Sequence, residues 1–224
     1  MSIGALLPAD AGDWELDRVA PGLLPASKFV VEAAGCELAI RSSCEAEPYQ
    51  ASFEHPEGQP APRISADNGT LLLRRPRVET RLPFIVRTHR WRADLSLRRS
   101  TVWWLRVEGD INHAMLSLGD ARLSMIEIVG AANTAQTILP IPAGTLSVVI
   151  NGGGNTVNLI TQASVPVAIR MSGAGSRLRV ERLRIAGALG QISWRDIRYM
   201  DSPDRIHVRV TGAACAINLI RRSA

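Results

Sequence analysis

Residues 148–159 read VVINGGGNTVNL, and they contain the unit from which most of the chain is built. Val148-Val-Ile150 and Val157-Asn-Leu159 place apolar side chains at every second position, which puts one set on the buried face of a strand. Between them Asn151-Gly152-Gly153-Gly154-Asn155 supplies residues that accept tight corners and positive φ. On the N-terminal side, Ile126-Glu-Ile128 leads into Gly130-Ala-Ala-Asn133, and Leu105-Arg-Val107 into Gly109-Asp-Ile-Asn112 and Leu116-Ser-Leu118. On the C-terminal side, Val167-Ala-Ile169 leads into Ser172-Gly-Ala-Gly175 and Leu178-Arg-Val180, and Ile206-His-Val208 into Gly212-Ala-Ala-Cys215 and Ile217-Asn-Leu219.

The first pairs begin at Leu105, Ile126, Val148 and Val167, 21, 22 and 19 residues apart, and Ile206 follows 39 residues later, close to two periods. A period near twenty with small-residue corners marks a stack in which each rung buries its inward side chains against its neighbours. The expected fold is therefore all-β, a single-domain β-solenoid. A β-sandwich, whose strands also arrive about every eight to twelve residues, stays open as the alternative, although it does not require matching corners. On this reading the C-terminal rung, Ile206 to Leu219, ends the stack and offers an unpaired edge to a second copy or a partner.

Phe29 to Ile40 repeats the strand, glycine corner, strand outline around Gly35. Cys44 to Pro62 is polar, carries Pro48, Pro56, Pro60 and Pro62, and reads as a surface loop. Thr70 to Leu73 reads as a strand ending at Arg74-Arg-Pro-Arg77. No linker divides the chain, which is expected to comprise an arm or cap over residues 1–27 and a solenoid over 28–224. Apolar residues make up 46% and charged residues 21%, an ordinary globular balance. No run of 18 apolar residues occurs, so no transmembrane helix is expected. Met1 to Ser27 lacks a basic start and a sustained apolar core, and with three unpaired-looking cysteines it points to a cytoplasmic protein.

Phe29 to Ile40 with Ile64-Ser-Ala-Asp67-Asn-Gly69-Thr-Leu71-Leu-Leu73 resembles the start of bacterial toastrack or “putative adhesin” domains. Val165 to Leu178 and Ile206 to Ile217 resemble the repeats of the same group, which includes the C-terminal domains of envelope-stress proteins of the LiaF type. The resemblance spans roughly residues 28–221 and rests on pattern. It implies a stack of short strands, no known catalytic residues, and roles in assembly or envelope stress signalling. Many members carry a membrane segment that this chain lacks.

The residues point to no catalytic, cofactor-binding or metal site. His55, His89, His113 and His207 form no pair at metal-ligand spacing. Asp110 and Asp120 sit in consecutive corners with Glu127 nearby, but no repeated carboxylate ladder of the kind a carbohydrate-active β-helix needs follows them. The glycine-rich corner at Asn151 to Thr156 lacks the Lys-Ser/Thr end of a phosphate-binding loop. Cys36 and Cys215 read as small buried residues.

Residues 87–106, RTHRWRADLSLRRSTVWWLR, interleave arginines with tryptophans. Arg90, Trp91, Arg92, Trp103 and Trp104 are the candidate interaction surface, for a protein or, less in keeping with strand alternation, for nucleic acid or anionic lipid. Trp103 and Trp104 are adjacent, so one faces the core and the other faces out. The arginines of this stretch are expected on a solvated face or paired with the acidic N-terminal region, where ten acidic residues precede Pro60. The resulting expectation is a non-enzymatic scaffold that meets a protein partner or itself. A ligand-recognition or carbohydrate-active β-helix is the alternative.

Overall fold

A computed structural model describes residues 14–19, 27–32, 34–44, 47–56, 60–74, 91–110, 112–187 and 190–223. Period-two alternation becomes nineteen strands there, and none of the described residues is helical. The first seven are β1 (Trp14–Val19), β2 (Lys28–Glu32), β3 (Cys36–Ser43), β4 (Tyr49–Pro56), β5 (Arg63–Asp67), β6 (Thr70–Arg74) and β7 (Trp91–Arg98). The repeat follows as β8 (Val102–Glu108), β9 (His113–Ser117), β10 (Arg122–Val129), β11 (Thr134–Ile138), β12 (Thr145–Asn151), β13 (Thr156–Gln162), β14 (Val167–Ser172) and β15 (Ser176–Val180). Then come β16 (Leu183–Gly187), β17 (Gln191–Arg195), β18 (Arg205–Thr211) and β19 (Ala216–Arg222).

Two sheets face each other across one core. The nine-stranded sheet runs β17-β14-β18-β12-β10-β8-β2-β6-β5, and the ten-stranded sheet β1-β4-β7-β3-β9-β11-β13-β19-β15-β16. Each rung contributes one strand to the first sheet, turns at a small-residue corner and contributes the next strand to the second. Inward positions such as Leu105, Ile126, Val148, Val208 and Ile169 stack in register and are at most 1% exposed. The solenoid expectation holds in this flattened, two-sheet form.

The order of the rungs departs from the order of the chain. The last rung, β18–β19, lies between β12–β13 and β14–β15: Val208 is opposite both Val148 and Ile169, and Leu219 opposite both Leu159 and Val180. The expectation that Ile206 to Leu219 ends the stack is therefore corrected. The intervening β16 and β17 fold back antiparallel onto β15 and β14 and cover that end, so the last rung occupies an interior place. The N-terminal side mirrors this, with β2 between β6 and β8 and β3 between β7 and β9.

All four sheet edges are made by antiparallel strands: β5 on β6, β17 on β14, β16 on β15, and β1 on β4. Of the expected arm, residues 14–19 form the edge strand β1; most of the remainder lies outside the described residues. The surface-loop reading of 44–62 is corrected as well. Tyr49, Ala51, Phe53 and His55 alternate inward along β4, which pairs with β7. Pro48 and Pro56 fall at its ends, where a missing N–H costs least, and Pro60 and Pro62 lie beyond it. Asn68 and Gly69, with φ of 46° and 74°, close the β5–β6 hairpin in the two-residue turn that needs positive φ at both positions.

The corners carry a second ladder. Asn112, Asn133 and Asn155 are buried one above another. The Oδ1 atoms of Asn133 and Asn155 each accept the backbone N–H of the preceding asparagine at 3.0 Å, and Oδ1 of Asn112 accepts that of Cys36 at 3.1 Å. The side-chain amides of Asn133 and Asn155 donate to the glycine carbonyls one rung back, Gly109 and Gly130. Cys215 Sγ and Ser176 Oγ continue the series onto Gly152 and Gly212, at 3.2 and 3.3 Å. Cys215 is buried as expected, but it fills a hydrogen-bonding slot rather than an apolar one.

At the far end Arg221 reaches Asp196 at 2.7 Å, and both side chains are largely buried. Burial alone would raise the Asp196 pKa. The Arg198 backbone N–H and the Arg221 guanidinium outweigh it and hold the carboxyl below its ordinary value. No helix among the described residues is long and apolar enough to cross a membrane.

Candidate functional site

Outward positions on the ten-stranded sheet form rows that cross the rungs. One row runs Ala39, Met115, Gln136, Asn158, Asn218, each opposite the next. A second runs Glu37, His113, Thr134, Thr156, Ala216. The sequence puts them outside because their neighbours, such as Val157 and Leu159 flanking Asn158, are inward and fully buried. Asn218 donates its amide to Asn158 Oδ1 at 2.7 Å, across the join between the last rung and the rung of β12–β13.

A groove of about 400 Å³ lies along these rows, lined by Glu37, Arg92, His113, Met115, Gln136 and Asn158. A second depression of about 400 Å³ begins at Asn158 and continues over Asn218, Arg179 and Ile220. Met115 is 55% exposed and Ile220 44% exposed, so apolar side chains alternate with amides along the surface. Arg92 is held by Asp94 at 3.1 Å. The chemistry on offer is hydrogen bonding and apolar contact from a rigid sheet. Among the described residues, no group of three or more His, Cys, Asp or Glu side chains is placed to hold a metal ion.

The candidate surface read from residues 87–106 is not brought together. Trp91 and Trp103 are core residues, 1% and 0% exposed, and Trp103 Nε1 donates to the Arg98 carbonyl at 2.9 Å. They are inaccessible to a partner. Arg92 faces out from the ten-stranded sheet, whereas Trp104 faces out from the nine-stranded one, so the two lie on opposite sides. Arg90 lies outside the described residues. Trp104 carries Lys28 Nζ 3.9 Å above its ring and donates to Glu127 at 3.3 Å. Arg106 bonds Glu108 and Glu127 at 2.9 and 3.1 Å, and Arg74 bonds Glu32 at 2.7 Å. Arg92 and Arg106 of this stretch are thus paired within the molecule, but with Asp94, Glu108 and Glu127 rather than with the N-terminal acids expected; the pairing with an N-terminal acid falls to Arg74, outside the stretch.

The remaining candidates have structural roles. Asp110 accepts the Ala131 backbone N–H, and Glu127 is committed to Arg106 and Trp104. Cys36 and Cys215 are buried and Cys44 is exposed. His207 faces outward as expected, with Nδ1 3.1 Å from the Tyr199 hydroxyl. His113 lies exposed on the groove. The amide row went unread in the sequence. Val157-Asn-Leu159 and Ile217-Asn-Leu219 do display the same outward asparagine, but only the rung order makes them neighbours.

No protein-family model matches the chain, and no curated protein matches it. Its fold is similar to that of a solved “putative cell adhesion protein” from Clostridium sporogenes, with a TM-score of 0.71 at 15% identity over 94% of this chain and 99% of that one. A “putative adhesin” from Bacteroides fragilis aligns over 93% of this chain and 97% of its own, with a TM-score of 0.29 at 6% identity. Another from Parabacteroides merdae aligns over 94% and 98%, again with a TM-score of 0.29 at 6% identity. The first of these shares the architecture of stacked short strands in two facing sheets.

Proposed function

We propose that this chain is a non-enzymatic interaction module that holds a protein partner against the outer face of its ten-stranded sheet. The observation that carries the reading is the Met115–Gln136–Asn158–Asn218 row, which sets an exposed thioether beside uncharged amides on in-register strands. Such a surface is pre-organised, so a partner loses little to ordering it. Amides offer both donors and acceptors to a peptide backbone, and Met adapts to varied apolar side chains. Paired carboxylates would support a carbohydrate-active reading; the described lining residues of the groove offer Glu37. The buried thiol of Cys215, outside any disulfide, supports a reducing, cytoplasmic setting.

The test is a photo-crosslinking residue placed at Gln136 in producing cells, with a control at the exposed Asp201. A captured partner, purified, should bind wild type and lose about tenfold in affinity, or about 1.4 kcal/mol, on Met115→Asp. If the partner is a second copy, light scattering shows the same variant reverting to a particle of 24.3 kDa. Equal capture at Asp201, or binding indifferent to Met115→Asp, would overturn the proposal.

A further inference from the structure

The outer face of the nine-stranded sheet has a different character. Its strands β14, β17 and β18 carry Arg170, Arg195, Arg205 and Arg209 and no acid. Arg170 on β14 and Arg209 on β18 stand directly opposite each other, a strand spacing of about 4.8 Å apart. Like charges in that relation destabilise a sheet. Val149 flanks Arg209 on β12 and Ser193 flanks Arg170 on β17, so neither arginine has an acid as its immediate neighbour in the row, and Glu127, next beyond Val149, is taken up by Arg106 and Trp104. Neither arginine makes an ion pair with a described residue, whereas Arg74, Arg92, Arg106 and Arg221 all do.

Two residues before Arg209 on β18, and so on the same face, His207 joins them. Its Nδ1 meets the Tyr199 hydroxyl, so when Tyr199 donates the ring proton sits on Nε2 as a further donor. Arg205 is held in place by Thr145 Oγ1 and the Tyr199 carbonyl, both at 3.3 Å. We propose that Arg170, Arg209 and His207 form a binding site for a doubly charged tetrahedral oxyanion, a sulfate or phosphate monoester group. Two guanidinium forks fixed on adjacent strands offer parallel N–H donors to one such group, and its charge relieves their mutual repulsion. The site lies on the opposite sheet from the Met115 row and does not depend on the function proposed for it.

Protonation adds a signature. Partial burial, then Arg209, Arg170 and Arg205, lower the His207 pKa below its ordinary value near 6.5. The groups facing His207 are Arg205 and Arg209 on its own strand, Arg170 on β14, Tyr199 from the preceding turn, and uncharged Thr145, Ser147 and Val149 on β12. Asp204, the nearest acid in sequence, accepts the Gly144 N–H at 2.6 Å. A bound dianion favours the imidazolium, so it raises this pKa, and by linkage the anion binds more tightly as pH falls through it.

Calorimetric titration with inorganic sulfate and, separately, inorganic phosphate tests this, at constant ionic strength against chloride. Sulfate, doubly charged throughout, is the probe for pH. The expected result is saturable binding of at least one dianion, tighter at about pH 5.5 than at about pH 7.5. Arg209→Met should weaken it about tenfold while keeping or raising Tm, because a repulsion is removed. His207→Gln should retain binding and lose the pH dependence. The stronger of the two arms identifies the ester class. Binding no stronger than chloride, binding unchanged in Arg209→Met, or wild-type sulfate affinity indifferent to pH would each overturn the site.

Discussion

Gly152→Ala is expected to lower stability by about 3 kcal/mol or more, combining roughly 1–3 kcal/mol for an unfavourable backbone conformation and 1–3 kcal/mol for overpacking. Gly152 has φ of 118°, a region that L side chains rarely adopt. A Cβ there would collide with the carbonyl group of Gly130, one rung back. Relief by a local shift is blocked because Gly152 N–H donates to Thr211 O and its own carbonyl lies where a Cβ on Gly212 would go. Moving one corner therefore moves the column of glycines at 109, 130, 152, 212 and 173. Urea denaturation checks this, with Gly119→Ala as the control. Gly119 has ordinary φ, and its added methyl would sit 3.6 Å from Ile138, so a change within about 0.5 kcal/mol is expected. Equal midpoints for the two variants would show that the corners are not stacked as described.

Removal of residues 205–224 is expected to abolish cooperative folding of the repeat. In a stack laid down in chain order, loss of the last rung leaves a shorter stack that still folds. Here the lost rung is interior. Ile206, Val208, Val210, Ile217 and Leu219, each at most 2% exposed, leave together. At about 1.5–3 kcal/mol for each buried aliphatic side chain, the gross loss matches or exceeds the roughly 5–15 kcal/mol that holds a typical domain folded. The strands on either side, β12–β13 and β14–β15, would face a gap one rung wide, with the paired partners of Val148 and Ile169 gone. Far-ultraviolet dichroism against urea should show no sigmoidal transition in the truncated chain. A cooperative transition with a proportionally smaller m-value would mean that the rung sits at an end.

The strands and corners were legible because period-two alternation and small-residue turns are local signals. Leu105, Val148 and Ile169 announce their inward faces without reference to anything distant, and the adjacent pair Trp103 and Trp104 announces that one is buried. β4 was hidden by composition: Pro48 and Pro56 read as loop, although Tyr49, Ala51 and Phe53 keep strand spacing between them. Rung order was not legible, because any of several rungs presents a nearly identical apolar edge. The 39-residue interval before Ile206 counted as two periods, yet β16 and β17 use that length to close the stack instead. Both surfaces discussed above inherit this gap. Asn218 lies beside Asn158, and Arg209 beside Arg170, only because the last rung is inserted. Cys215 was likewise hidden, since its hydrogen bond to Gly152 crosses the same join.

That insertion is the claim on which the Asn158–Asn218 end of the amide row and the oxyanion site both stand, and a pair of disulfide cross-links tests it directly. In a background where exposed Cys44 is replaced by Ser, Val149→Cys combined with Arg209→Cys joins register partners on adjacent strands, within the Cα separation of about 4.4–6.8 Å that a disulfide spans. Val149→Cys combined with Arg170→Cys joins positions two strands apart, at about twice the 4.8 Å spacing. Mild oxidation of the folded protein should close the first pair quantitatively and leave the second reduced. Closure of the second pair, with the first reduced, would place β14 beside β12 and contradict the account.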